Sequence, residues 1–429
     1  MLIFSMLSYR TAKLCFASSN VALTVLVKPK ETVTLKNRKY SNTLDLKPLS
    51  TSEPGNFSTL EHFLTDESNP ARHTIDDVGL MYTIPKEDYS KMVSSQFNTV
   101  AFTQQFDKQV QSLNEASMVI RQPGFEIVNY LQNTDYTAPV NRYVIHGPQG
   151  SGKTMLMMYA THFCMKENWL IVPNYNMWSW MDYQSRYKPT MKKEIMESTW
   201  NKERVDVPHR AVIWLDTFKL LNGSLLDNIK TTQKYQWSKH ESADIGESFS
   251  SIVDFGKARV RVATDVIGAI MKEIRVQDAS TMPRTLVTVD AVNAAFCETK
   301  LKIKHNVYLK AHELSYGHNL KKLMTSSWTN GAVITALSKP FLEKNKKGYL
   351  LPGSHPYDLL GQEGFDWLDP HIPIAVGQYT DKEILSQLAY YKDRKFLTGP
   401  CLSEAGEAEL IQLSYRNPAD LAHICLSAS

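Results

Sequence analysis

Short apolar runs separated by polar turns divide the 429-residue chain into a weakly patterned first quarter and a densely patterned remainder. Five runs have strand character. They are Tyr143-Val-Ile145, Trp169-Leu-Ile-Val172 (ended by Pro173-Asn174), Leu286-Val-Thr-Val-Asp290, Gly331-Ala-Val-Ile-Thr-Ala-Leu-Ser338 and Ile372-Pro-Ile-Ala-Val376. Continuous apolar runs of this length, rich in β-branched residues, mark strands buried on both faces, as in parallel sheets. Between the first two, Thr154–Glu167 is apolar on nearly every side, which predicts a helix enclosed between a sheet and other elements. Strand, loop, helix and strand in that order make a βαβ unit. The spacing predicts a second crossover helix over Phe255–Ile274, helices over Glu115–Leu131 broken at Pro123-Gly124, and a charged, mostly helical stretch over 184–245. After the last strand, Asp381–Tyr391, Glu404–Tyr415 and a final helix beyond the Asn417-Pro418 break form a small helical lid. Residues 41–115, punctuated by Pro48, Pro54, Pro70 and Pro85, read as an extended arm with a short helix near Lys86–Val93. The expected organisation is a leader over 1–40, an arm over 41–115, an α/β domain over 116–378 and a lid over 379–429.

Charge changes the picture at the start of the chain. Residues 1–40 carry seven basic side chains and one acid, Glu31, whereas the whole chain is only +4, so the remainder lies near −2. A basic, acid-poor, Ser- and Thr-containing start predicts a mitochondrial transit peptide, with Arg38-Lys-Tyr40 before Ser41 as the processing site. Five scattered cysteines with no C-x-x-C pair argue against a disulfide framework or a zinc site, and for a reducing compartment. The longest early apolar run, Val21–Val27, is far too short to span a bilayer, so no membrane insertion is expected.

The candidate chemistry lies in the loop between the first strand and its helix. Gly147-Pro148-Gln149-Gly150-Ser151-Gly152-Lys153-Thr154 fits G-x-x-x-x-G-K-[ST], the phosphate-binding loop. Its glycines let successive N–H groups turn toward phosphate oxygens at a helix N-terminus. Lys153 reaches the β- and γ-phosphates, and the Thr154 hydroxyl ligates Mg²⁺. This predicts a P-loop NTPase fold, a parallel sheet flanked by helices, of the AAA-like or STAND-like type. A second Mg²⁺ group should be an acid ending an apolar strand. Asp216 and Asp290 compete, and Asp290 is preferred because apolar positions after Asp216 continue at helical spacing. Thr335 or Ser338, at the end of the fourth strand, is a candidate γ-phosphate sensor. Asn293 is the only polar group close after Asp290, where a catalytic glutamate would stand, and an amide accepts no proton, so hydrolysis should be slow. No N-K-x-D element appears, since Asn201-Lys-Glu-Arg204 ends in Arg, so the base is unread and ATP stays possible. Trp178 and Trp180 in the aromatic stretch Tyr175–Tyr183 read as core or partner contact. The basic clusters Lys192-Lys193 and Lys202–Arg204, with acids nearby, read as a solvated helix face, whereas Lys300–Lys304 and Lys344–Lys347, read as loops, face either water or RNA phosphate.

From about Arg72 to the C-terminus the chain carries Arg72-His-Thr74, Asp77-Val-Gly79, Arg121-x-Pro123, Gly147–Thr154, His162-Phe-Cys164, Ser198-Thr-Trp200, Tyr235-x-Trp237, Ala263-Thr-Asp265, Val289-Asp290 with Asn293-Ala294, Ala336-Leu-Ser338 and Leu368-Asp-Pro370. Together these motifs resemble the death-associated protein 3 family of mitochondrial small-subunit ribosomal proteins. The resemblance implies a GTP- or GDP-binding component of the small subunit, contacting neighbouring ribosomal proteins and ribosomal RNA in the matrix, with a link to apoptosis in animals. The alternative is an AAA-like or STAND-like ATPase switch in the matrix; a third is an RNA-binding scaffold with a vestigial loop.

Overall fold

The five apolar runs form one parallel sheet: β1 (Asn141–His146), β2 (Leu170–Asn174), β3 (Thr285–Asp290), β4 (Gly331–Ala336) and β5 (Ile372–Ala375), in the order β5-β1-β4-β3-β2. This computed structural model describes residues 62–94, 99–100, 103–181, 195–302, 307–339 and 355–428, all within one compact unit, Phe57–Ser429. The leader over 1–40, Lys192-Lys193 and Lys344–Lys347 lie outside the described residues.

Side-chain alternation splits the apolar surface into two cores, one on each face of the sheet. Val144, Val172, Val287, Val289 and Val333 face one core. Tyr143, Ile145, Ile171, Leu286, Ala332 and Ile334 face the other. The two prolines within the sheet, Pro173 and Pro373, occupy the edge strands β2 and β5, where a missing N–H breaks no ladder. The open edge of β2 is closed by Asn222, whose amide accepts from Ile171 N at 2.7 Å and donates to Ile171 O at 2.9 Å.

The helices of the described residues include α1 (Gln104–Leu113), α2 (Gln122–Asn133), α3 (Lys153–Lys166), α4 (Pro208–Asn222), α5 (Phe249–Ala258), α6 (Ala263–Val276), α7 (Ser315–Leu323) and, beyond the sheet, α8 (Asp381–Asp393), α9 (Glu404–Ser414) and α10 (Pro418–Ala428). Helix α3 is buried without a break from Leu156 to Cys164, as its all-round apolar pattern predicts. The three lid helices begin and end within a few residues of their predicted bounds, helped by side-chain caps at Thr380 and Ser403.

Several elements differ from the sequence reading. Ala116–Val119 is a strand, paired antiparallel with Met81–Ile84, and Pro123 sits in the first turn of α2, where its missing N–H costs nothing. The segment read as an arm is therefore part of the domain from residue 62 onward. Tyr82, Ile84, Met92 and Phe106 pack into the same core as Tyr143 and Ile145. The expected helix Phe255–Ile274 is two helices, α5 and α6, parted at Arg259 and the 3-10 turn Val260–Val262, so that each turns an apolar face to α4. The described part of 184–245 is less helical than expected, with α4 set between short hairpins. Asp216 lies in mid-helix, paired with Lys257 at 2.6 Å, which removes it as a metal ligand. Lys300 and Lys302 lie on a strand, Glu298–Lys302, rather than in a loop.

Candidate functional site

The loop Gly147–Thr154 runs from the end of β1 into α3, with Gly147 at φ 148°, Gly150 at 79° and Gly152 at 93°. Two of these positions are closed to larger residues. A Cβ at Gly147 would lie 2.1 Å from Val376 O, and one at Gly150 would lie 2.4 Å from Asn417 Oδ1. Ser151 Oγ braces the loop by donating to Pro148 O at 2.9 Å. Gly152 precedes α3 with no side-chain cap, so the first-turn N–H groups face the loop with the positive end of the helix.

Lys153 folds over the loop and donates to Gly147 O at 2.9 Å and Pro148 O at 2.6 Å. Burial lowers its pKa to about 8, against the pull of the Asp290 charge. A half-buried cation whose partners are carbonyls is poised for an anion. Thr154 Oγ1 donates to Asp290 Oδ2 at 2.7 Å, and Ala291 N donates to the other carboxylate oxygen at 2.8 Å. Burial pushes the Asp290 carboxyl up, opposed by these two bonds and by Lys153. Strand order produces this meeting. With β4 between β1 and β3, the loop after β1 and the acid ending β3 open onto the same carboxyl-terminal edge of the sheet.

The other site candidates divide. Thr335 is fully buried and donates to Tyr143 O at 3.1 Å within the sheet, so it faces no ligand. Ser338 lines the cavity beside the loop. Asn293 does not: it is fully buried, accepting from Ser338 N at 3.1 Å and donating to Ser338 O at 3.0 Å. Its amide is committed to joining the ends of β3 and β4, which removes it as a water-orienting group and makes it a positioning residue. Pro148, Gln149 and Ser151 shape the loop; the Gln149 carbonyl accepts from Asn417 Nδ2 at 2.9 Å.

Sequence reasoning missed the residue that ties the site together. Arg121, preceding α2, donates to Ser151 O at 2.6 Å, Gln378 O at 2.9 Å and Gly377 O at 3.2 Å, and pairs with Glu383 of α8 at 3.2 Å. One buried guanidinium thus links the phosphate loop, the segment after β5 and the lid. Asn417 and the Ala419 N–H, which donates to Gly150 O at 3.1 Å, add a second link. Arg121 shows in the sequence only as part of the Arg121-x-Pro123 motif, with no role attached, because its carboxylate partner lies 262 residues away.

These parts enclose a cavity of about 300 Å³. Its floor is Lys153, Thr154 and Asp290. Its other wall is apolar, with Phe106, Met118 and Leu156 of the main domain and Tyr391 of the lid. Gln387 lines that half, and its buried side-chain Nε2 has no partner. A nucleoside phosphate fits this donor set: phosphates on the loop amides and Lys153, Mg²⁺ on Thr154 and Asp290, and a base in the apolar half, where Gln387 offers an unmatched donor.

The aromatic candidates pack within the fold. Trp180 stacks on Tyr316 with ring centroids 3.6 Å apart, as core packing. Lys300 and Lys302 lie over the rings of Trp178 and Tyr308, at 4.7 and 4.2 Å. Among the described residues no His, Cys, Asp and Glu cluster forms a metal site, Cys164, Cys401 and Cys425 form no disulfide, and no helix is long and apolar enough to cross a membrane.

Fold and site together define an α/β protein with a five-stranded parallel sheet flanked by helices, consistent with the P-loop nucleotide-binding fold. A family profile described as mitochondrial ribosomal death-associated protein 3 matches residues 118–424. The chain is 36% identical over 367 residues to the mouse (Mus musculus) small ribosomal subunit protein mS29, covering 85% of this chain and 89% of that protein. It is 36% identical over 365 residues to the mS29 of cattle (Bos taurus), covering 84% and 87%. The chain belongs to the mitochondrial ribosomal death-associated protein 3 family.

Proposed function

We propose that this protein is a structural component of the mitochondrial small ribosomal subunit that holds GTP or GDP with Mg²⁺ between its phosphate loop and its helical lid, in support of mitochondrial translation. The observation that carries the nucleotide reading is the meeting of Thr154 and Asp290 at 2.7 Å beside a half-buried Lys153. In that reading Lys153 and the loop amides bind the phosphates, while Thr154 and Asp290 hold the metal, which neutralises phosphate charge. The subunit assignment rests on family membership and on the two relatives named above.

Holding, rather than splitting, follows from what surrounds Asp290. It is the only carboxylate among the described residues lining the cavity. Ala291 follows it, and the Asn293 amide is committed to Ser338. No second carboxylate stands ready to take a proton from an attacking water, so turnover is slow. The lid is tied to the loop through Arg121 and Asn417, so a bound nucleotide fastens two parts of the molecule and stabilises the native state by mass action.

The test is to purify the protein from mitochondria, extract its nucleotide and identify it by mass spectrometry, alongside sucrose-gradient sedimentation of the lysate. Guanine nucleotide in small-subunit fractions is expected. ATP, with the protein outside those fractions, would favour an AAA-like or STAND-like switch; an empty site would favour a vestigial loop.

A further inference from the structure

A second cavity, of about 330 Å³, shares no lining residue with the nucleotide site. Its floor is formed by α6 and α7, and its mouth by the turn between the short strands Met196–Glu197 and Val205–Asp206. Three features of it are unexplained by folding alone. Trp200, at the mouth, is 65% exposed, a costly place for an indole with no partner. Three cations, Arg204, Arg275 and Lys322, line the cavity beside Lys272, which is held by Gln233 Oε1 at 2.6 Å, and with a single carboxylate, Asp265, which accepts from Thr199 Oγ1 at 2.7 Å. Thr264, only 1% exposed, lines the cavity with its hydroxyl unpartnered, and the Arg275 Nε is likewise buried without a partner.

An exposed aromatic face, a basic rim and unmatched polar groups at depth match a nucleotide in its three parts: base, phosphate and sugar or base edge. The volume admits one nucleotide and excludes a helix or a duplex. An acidic peptide would satisfy the cations but leave the indole without a flat partner.

We propose that this cavity takes one unstacked nucleotide of single-stranded RNA, its base on the Trp200 indole and its phosphates against Arg204 and Lys322. This rests on the ribosomal placement proposed above, which makes ribosomal RNA the available strand. Stacking gives affinity without reading sequence, so the site anchors an unpaired loop whatever its base.

The test uses the purified full chain and a fluorescently labelled single-stranded RNA octamer, titrated by anisotropy at several salt concentrations. Trp200→Ala should weaken binding about five-fold or more, and Trp200→Phe should restore most of it. Arg204→Ala and Lys322→Ala should each lower the salt slope by about one. Undiminished binding by Trp200→Ala, or no binding by the unaltered chain, would each overturn the proposal. In isolated small subunits, ultraviolet crosslinking should join RNA to the peptide containing Ser198–Arg204; a crosslink there to a protein neighbour would overturn it as well. Sedimentation of the unaltered chain tests the ribosomal placement separately, since a chain that stays with the subunit while Trp200→Ala binds RNA normally removes only the pocket.

Discussion

Replacing Arg121 with methionine should uncouple the lid from the phosphate loop. The substitution keeps the length and apolar stem of the side chain and removes its charge. Glu383, 2% exposed, would lose its counterion, keeping only the Thr380 N–H at 2.8 Å, and Ser151 O, Gly377 O and Gln378 O would lose a donor. Removing one partner of a buried pair costs about 3–5 kcal/mol, because the remaining charge stays desolvated. Urea denaturation followed by circular dichroism should show a loss of that size. Hydrogen exchange should rise together in Gly147–Thr154 and in α8 and α10, which are fastened through the same group. Glu383→Gln in the Arg121→Met background should recover part of the loss, a non-additivity of about 0.5–3 kcal/mol being usual for contacting residues. A cost under about 1 kcal/mol, strict additivity, or exchange confined to the loop would refute the reasoning.

Four further outcomes are expected. Lys153→Ala should abolish nucleotide binding and remove the ligand-dependent rise in melting temperature; a nucleotide-induced shift equal to that of the unaltered chain would contradict the assignment. Gly150→Ala should destabilise by about 1–2 kcal/mol, since a left-handed φ of 79° is strained for alanine and its Cβ would displace Asn417; calorimetry showing an unchanged transition would count against the loop–lid contact. Burial lowers the His162 pKa to about 4, below its free value of about 6.5, while the neighbouring Asp88 is also held low despite its own burial, by Lys166 and His162. Both folded values are depressed, so the contribution of this pair to stability should be level above pH 6.5 and fall as pH drops through 4, and the fall should be shallower in His162→Gln. Intrinsic GTP hydrolysis should run well below about one turnover per second, the low end for kinases, in a single-turnover phosphate-release assay; a faster rate would require a proton acceptor that the described cavity lacks.

What could be read from the sequence alone was local. The loop Gly147–Thr154 was legible as a turn from strand to helix because three glycines at fixed spacing supply the positive-φ positions it needs. The strands were legible because burial on both faces demands unbroken apolar runs. The lid helices were legible because Thr380, Ser403 and Pro418 mark their starts. Even Asp290 could be preferred over Asp216 from the helical spacing that follows Asp216. The errors also came from local cues read without their partners. Ala116–Val119 looks helical until Met81–Ile84 pairs with it, and that pairing turns an apparent arm into core. The tertiary structure decided the strand order, and with it the meeting of Thr154 and Asp290. It also committed Thr335 and Asn293 to backbone partners and brought Arg121, Glu383 and Asn417 to the loop. Such contacts join residues up to 268 positions apart. They depend on which surfaces are buried together, a property of the closed chain that no short window of sequence contains.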